Sequence, residues 1–250
     1  MRERGLTVDH TTVWRWVQRY APEINKKIRP HLKLAGASYR VDETYIKVGK
    51  SCKYLYRAVD STGNTIEFML SAKRDVPAAK RFFKKMMRAD HRRLPFTISV
   101  DKNAAYPEAF TSSQDENVLP HDCKLRRVKY LNNIIEQDHR FIKKRVRACL
   151  GYRSFDTAER TLQGVEAMNM IRKGQVKRLD MSDAMEQSKF VAGLFQIAAW
   201  RWCRKQPSSS PLNLCNGTGR PSCAHARDGR GRGRGLEGAA GAGELVALFP

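Results

Sequence analysis

The chain has 250 residues, enough for one sizeable core and a small accessory unit. Its 47 Lys and Arg against 25 Asp and Glu give a formal charge of +22, which points to a polyanionic partner, nucleic acid ahead of acidic lipid. No apolar run approaches the length that spans a bilayer, and the opening MRERGLTVDH lacks the apolar centre of a signal peptide, so a soluble cytoplasmic protein without membrane attachment is expected.

Residues 1–20 read as a short leader and one helix. Asp9 is placed to cap HTTVWRWVQRY, whose Val13, Trp14 and Val17 form an apolar side, while Thr11, Thr12 and Arg15 point elsewhere. Short polar side chains and an arginine at a helix N-terminus suit contact with a DNA groove; an ordinary amphipathic surface helix has the same pattern. Residues 21–36, punctuated by Pro22 and Pro30, read as a basic linker.

Three strands follow: SYRVDETYIKV (38–48), CKYLYRAVD (52–60) and TIEFMLSA (65–72), with turns at Gly49 and Gly63 that favour an antiparallel meander. Asp75 caps a basic helix, VPAAKRFFKKMMRADH, with Pro77 in its first turn and Ala79, Phe82, Phe83 and Met86 toward the sheet. FTISV (96–100) is a short buried strand ending at Asp101, and a helical segment starts at Ala104. DCKLRRVKY (122–130) is a basic edge strand.

NNIIEQDHRFIKKRVRACL (132–150) has two stripes. Ile135, Ile142, Val146 and Cys149 recur on an apolar one; Glu136, Arg140, Lys143 and Arg147 recur on a charged one. Glu136 has a local explanation, since it can close a capping box with Asn133 and pair with Arg140 for about 0.2–0.5 kcal/mol. Gly151 ends this helix, and 154–174 form another with Ala158, Leu162, Val165, Met168 and Ile171 buried. Residues 200–250 change to a Ser-, Pro-, Gly- and Arg-rich composition and read as a disordered tail. The scattered Cys52, Cys123 and Cys149, and a tail Cys223 and His225 without zinc spacing, leave reduced thiols and no structural zinc.

These elements describe an α/β protein, a mixed sheet with helices packed against it. In such a sheet the first and fourth strands can be neighbours, bringing Asp42 and Asp101 together. Adjacent carboxylates share a proton or bind a cation, and oxygen donors with no His or Cys nearby select Mg²⁺ or Mn²⁺.

The stretches VDHTTVWRWVQRYAPE, VDETYIKV, YLYRAVDSTGNT, TISVDKNAAYPEA, VKYLNNIIEQDHRFIKKR and LGYRSFDTAERTLQGVEAMNMIRKGQ together resemble the bacterial DDE transposases of insertion sequence family six, over about residues 5–199. The 34 residues between Asp101 and Glu136, and Lys143 seven positions after Glu136, fit the same pattern. The resemblance implies a ribonuclease-H-like catalytic core at 37–199, with Asp42, Asp101 and Glu136 holding two Mg²⁺ or Mn²⁺ ions. It implies metal-dependent cleavage and strand transfer of DNA without a covalent enzyme intermediate. Lys143, Arg140 and Arg147 are expected on phosphate, Glu43 on the opposite face of its strand from Asp42, and Thr11, Thr12 and Arg15 at DNA.

Terminal inverted repeats, target DNA and further copies of the chain are the implied partners, in the cytoplasm on the nucleoid. Residues 1–20 match only the end of the family's helix-turn-helix unit, so weakened recognition of element ends, or loss of activity, is a further expectation. Two rival readings remain: a ribonuclease H or junction nuclease, and a non-catalytic DNA-binding remnant or inhibitor.

Overall fold

A computed structural model describes residues 8–101, 103–128, 133–148 and 151–196. Strands β1 (Ser38–Val48), β2 (Ser51–Asp60) and β3 (Thr65–Ser71) form the antiparallel meander, turning at Gly49 and Gly63, both with positive φ. β4 (Thr97–Val100) lies parallel to β1, and β5 (Lys124–Arg127) parallel to β4, which gives the order β3-β2-β1-β4-β5. β5 is shorter than the 122–130 expected; Tyr130 and its preceding residue lie outside the described residues.

Alternation along the strands sends side chains to two different cores. Tyr39 and Val41 of β1 face α2 (Val76–Met86) and α3 (Ala105–Asp115), packing with Phe82, Phe83, Met86 and Tyr106. Asp75 caps α2 by accepting from Ala78 N at 2.9 Å. Ile46 and Val48 share the opposite core with Ile142 of α4 (Asn133–Ala148) and with Leu162 and Val165 of α5 (Phe155–Arg172). Ser154 and Thr157 close a capping box at the start of α5, and Ala158, Leu162, Val165, Met168 and Ile171 are buried as expected.

The linker expected at 21–36 is corrected. Helix α1 runs from His10 through Pro22 to Ile28, followed by a 3₁₀ turn at Arg29–His31. An interior proline costs about 3 kcal/mol. The apolar period continues through it, however, and Tyr20, Ile24 and Ile28 are buried against Ala167, Met168 and Ile171 of α5. Full burial of a side chain such as Ile24 contributes roughly 1.5–3 kcal/mol, so two of them suffice to carry the helix past the proline.

The apolar side is also rotated from the one expected: Trp14 is 55% exposed, while Gln18 is buried and donates to Thr161 at 2.8 Å. α6 (Ala184–Leu194), which the pattern did not announce, contributes Val191 to the same cluster. Among the described residues no helix is long and apolar enough to cross a membrane. The leader at 1–7 and the tail at 200–250 lie outside the described residues.

Candidate active site

The β1–β4 register ends on Val41 beside Val100, so Asp42, still inside β1, and Asp101, just past the end of β4, follow at the same level on adjacent strands. Carboxyl ends of neighbouring parallel strands are where open α/β sheets gather ligands. Asp42 sits 22% open, accepting one backbone hydrogen bond from Glu43 N at 2.9 Å. Burial is the main cause that pushes its pKa up to about 7; the charges of Glu43 and Asp101 add to it, and the Glu43 N–H and Arg74 oppose it.

Glu43 points to the other face, as alternation requires. It is buried and held by the Tyr106 hydroxyl, by Arg74, and by Asn103 Nδ2 at 2.9 Å. These bonds also tie the segment after Asp101 to β1, which steadies the second acid.

α4 shows the two stripes. Ile135 and Ile142 are fully buried, whereas Glu136, Arg140, Lys143 and Arg147 are exposed. Cys149 and the side chain of Asn133, the expected cap, lie outside what the structure describes. Among the described residues, no three His, Cys, Asp or Glu side chains gather closely enough to hold a metal ion. The structure therefore brings Asp42 and Asp101 together and leaves Glu136 apart, on the first turn of α4.

His139, three residues later, marks how far apart. Its Nδ1 is 3.8 Å from Asp42 Oδ2, so Glu136 stands about one helical turn, roughly 5 Å along the axis, from a ring that lies against the first acid. The expectation of no histidine near the acids is thereby corrected. Burial, with Arg57 and Lys143 nearby, pushes His139 down to about 3, so the ring is neutral and supplies no charge to balance Asp42. Periodicity overlooked it because it falls between the two stripes of the helix.

Thr11 is exposed but already used: its backbone N–H and hydroxyl both donate to Asp9, which caps α1 as expected. Arg15 is exposed and Thr12 half-buried. Arg15 lines an open groove of about 650 Å³ with Trp14, Gln18, Arg19, Pro22 and Arg160.

A mixed sheet in this strand order, with helices packed on both faces, is a ribonuclease-H-like architecture, with one acid inside its first strand and another just past its fourth. Residues 36–175 match the family model of the DDE domain. The chain is 38% identical over 181 residues to the transposase for insertion sequence-like element IS431mec of Staphylococcus aureus, covering 72% of this chain and 78% of that one. It is 37% identical, with the same coverage, to the Staphylococcus aureus transposase for IS257 in transposon Tn4003.

Among solved structures it is similar to the HTLV-2 integrase catalytic core domain in complex with magnesium. That match has 16% identity and TM-score 0.42, over 54% of this chain and 88% of that one. The chain belongs to the DDE transposases of insertion sequence family six, divalent-metal-dependent enzymes that cleave and transfer DNA strands in transposition.

Proposed function

We propose that Asp42, Asp101 and Glu136 form the cation-binding triad of this transposase and hold two Mg²⁺ or Mn²⁺ ions. The observation that carries the reading is the placement of Asp42, inside β1, beside Asp101, just past the end of the adjacent parallel β4, with Asp42 half-buried and given one backbone donor. Oxygen donors of like charge set side by side, as Glu43 and Asp101 bear on Asp42, fit a hard divalent ion. Bound there, such ions supply Lewis-acid stabilisation of the attacking and leaving oxygens of an in-line phosphoryl transfer.

Asp42 and Asp101 would bind from the sheet, and Glu136 would complete the set from the first turn of α4. The neutral His139 ring closes the inner side of Asp42 against water. Arg140, Lys143 and Arg147 continue the Glu136 face outward, where they hold backbone phosphates and position the DNA without reading its sequence. Thr11, Thr12 and Arg15 at the start of α1 give a second DNA-facing surface.

The working unit is residues 37–199, with α1 docked on its outer layer through α5. Substrates are the terminal inverted repeats and target DNA, engaged by several copies of the chain on the nucleoid.

Mg²⁺-dependent nicking and strand transfer, run in parallel on terminal-repeat duplex and on an RNA–DNA hybrid, test the assignment. Strand transfer of the duplex that stops with a chelator is expected. Preferential cutting of the hybrid would move the chain to the ribonuclease H reading, and DNA binding without any cutting to the non-catalytic one.

A further inference from the structure

Arg57 lies in β2 directly across from Asp42, and its side chain is fully buried. Its Nε and Nη2 donate to Glu166 of α5 at 2.6 and 2.9 Å, and Nη2 also donates to Asp138 of α4 at 2.6 Å. The other Asp138 oxygen accepts from Lys173 Nζ at 2.5 Å and Asn169 Nδ2 at 3.2 Å. Asp138 is faced by two cations, Arg57 and Lys173. Two cations and two anions thus meet in a neutral cluster on the face of β2 that carries Leu55, the face packed by Leu162 and Val165 of α5.

Such a cluster is a poor way to gain stability. Well-packed apolar groups of similar volume often do as well or better, because the charges lose their hydration. What a guanidinium fork supplies instead is direction: its Nε–Nη2 edge holds Glu166 with two bonds, and the remaining Nη2 hydrogen holds Asp138 in the plane of the group. Here the fixed element is α4, gripped at Asp138, two residues after Glu136 and one before His139. A helix turns about 100° per residue, so a slip of one position at Asp138 would swing Glu136 a quarter-turn or more from the acids of the sheet.

We propose that Arg57 is a positioning residue for the metal site: through Asp138, with Glu166 as its anchor, it sets the rotation of α4 and hence where Glu136 stands relative to Asp42 and Asp101. The inference rests on the triad assignment proposed for Asp42, Asp101 and Glu136. It adds a structural reason why strand β2, which carries no member of the triad, bears an arginine at the level of Asp42.

The test is calorimetric titration of the full chain with Mn²⁺, in wild type, Glu136→Gln, Asp138→Asn and the double variant, each checked for a cooperative melt. Asp138→Asn should weaken Mn²⁺ binding about tenfold or more, the scale of losses on disturbing groups that orient metal ligands. In the Glu136→Gln background the same change should have less than about a twofold further effect, because a group acting through Glu136 has nothing left to place. Arg57→Lys, which keeps the charge and loses the fork, should fall between wild type and Asp138→Asn.

Folded Asp138→Asn with wild-type affinity overturns the proposal. So do losses that multiply in the double variant, which would mark a general field effect of the lost charge. Unchanged binding in Glu136→Gln removes Glu136 from the triad, and with it anything for Arg57 to position. If Asp138→Asn does not fold, Glu166→Gln takes its place under the same criteria. Failure of Asp138→Asn, Glu166→Gln and Arg57→Lys alike to fold makes the cluster a stability device and ends the proposal.

Discussion

Asp42 and Asp60 sit on adjacent strands of one sheet and have opposite characters. Asp60, at the end of β2, is 1% exposed and accepts five hydrogen bonds: from Gly36 N at 3.0 Å, Thr62 N at 2.9 Å, Asn64 N at 2.9 Å, Thr62 Oγ1 at 2.6 Å and Asn64 Nδ2 at 3.2 Å. Burial opposes its charge, but these donors outweigh burial and hold the carboxyl below its ordinary range. Asp42 has one backbone donor, a neutral imidazole and another acid beside it, and is pushed up to about 7. Burial is common to both; the count of donors decides. One carboxylate is finished by the fold and organises a turn, whereas the other is left for something outside the chain to complete.

The largest expected effect follows from that division. Asp42→Asn, Asp101→Asn and Glu136→Gln should each lower Mg²⁺-dependent strand transfer by about 10³-fold or more, equivalent to roughly 4 kcal/mol of lost transition-state stabilisation. Asp60→Asn should leave the rate per folded molecule within a few-fold of wild type. Single-turnover assays on terminal-repeat DNA, normalised to folded protein, make the comparison. Normal activity in any one of the three would strike that residue from the triad.

Stability should reverse the ranking. Asp60→Ala strands buried donors of the turn and should cost about 2–4 kcal/mol by urea unfolding. Asp42→Asn in chelator should be neutral or stabilising, since it removes a charge repelled by Asp101. A destabilised Asp42→Asn would show that the site is finished without a cation, and would count against a metal triad built on Asp42.

The parts of this molecule that were legible in the sequence are those written in local period. Asp42 stood out as a carboxylate inside a β-branched strand, Asp101 as the residue after an apolar run, and α4 by its two stripes; turns at Gly49 and Gly63 announced the meander. The Arg57 cluster was not legible, because its partners lie 81 and 109 residues away and no spacing rule links them. A charge in YLYRAV and another in GVEAMNMI were the available signal, each a costly residue within an apolar stretch. Pro22 misled in the opposite direction: proline is a local breaker, and only the packing of Ile24 and Ile28 on α5 shows why it breaks nothing here.

Titration should separate the two aspartates by sign. Asp60, depressed in the fold, contributes stability that is present above its unfolded value near 4 and lost as pH falls through its lower folded value. Asp42, raised to about 7, contributes stability present below its unfolded value of 3.8 and lost as pH rises through 7. Without divalent ions, wild type should therefore lose on the order of 1–3 kcal/mol between about pH 4 and pH 7 relative to Asp42→Asn. Saturating Mg²⁺ should shrink that difference, because a bound cation favours the ionised carboxylate. Identical profiles for wild type and Asp42→Asn would mean that Asp42 titrates alike in the folded and unfolded chain, and a wild type that gains stability with rising pH would mean that Asp42 is satisfied by donors as Asp60 is.

The smallest effect concerns two lysines, one on each side of the same contrast. Lys143 is exposed on the Glu136 face of α4, while Lys173 is drawn inward, donating to Gly63 O of the Asp60 turn at 2.9 Å and to Asp138 at 2.5 Å. A lysine on phosphate releases about one counterion on binding, so removing it should lower the slope of log K against log salt by roughly 0.9, independently of DNA sequence. A lysine committed to internal carbonyl and carboxylate oxygens has no such contact to lose. Binding isotherms of a non-specific duplex at several salt concentrations should thus show a reduced slope for Lys143→Gln and an unchanged one for Lys173→Gln, compared between variants that melt cooperatively. Equal slopes for Lys143→Gln and wild type would take the Glu136 face of α4 off the DNA, leaving the surface at the start of α1 as the place where the chain's charge is spent.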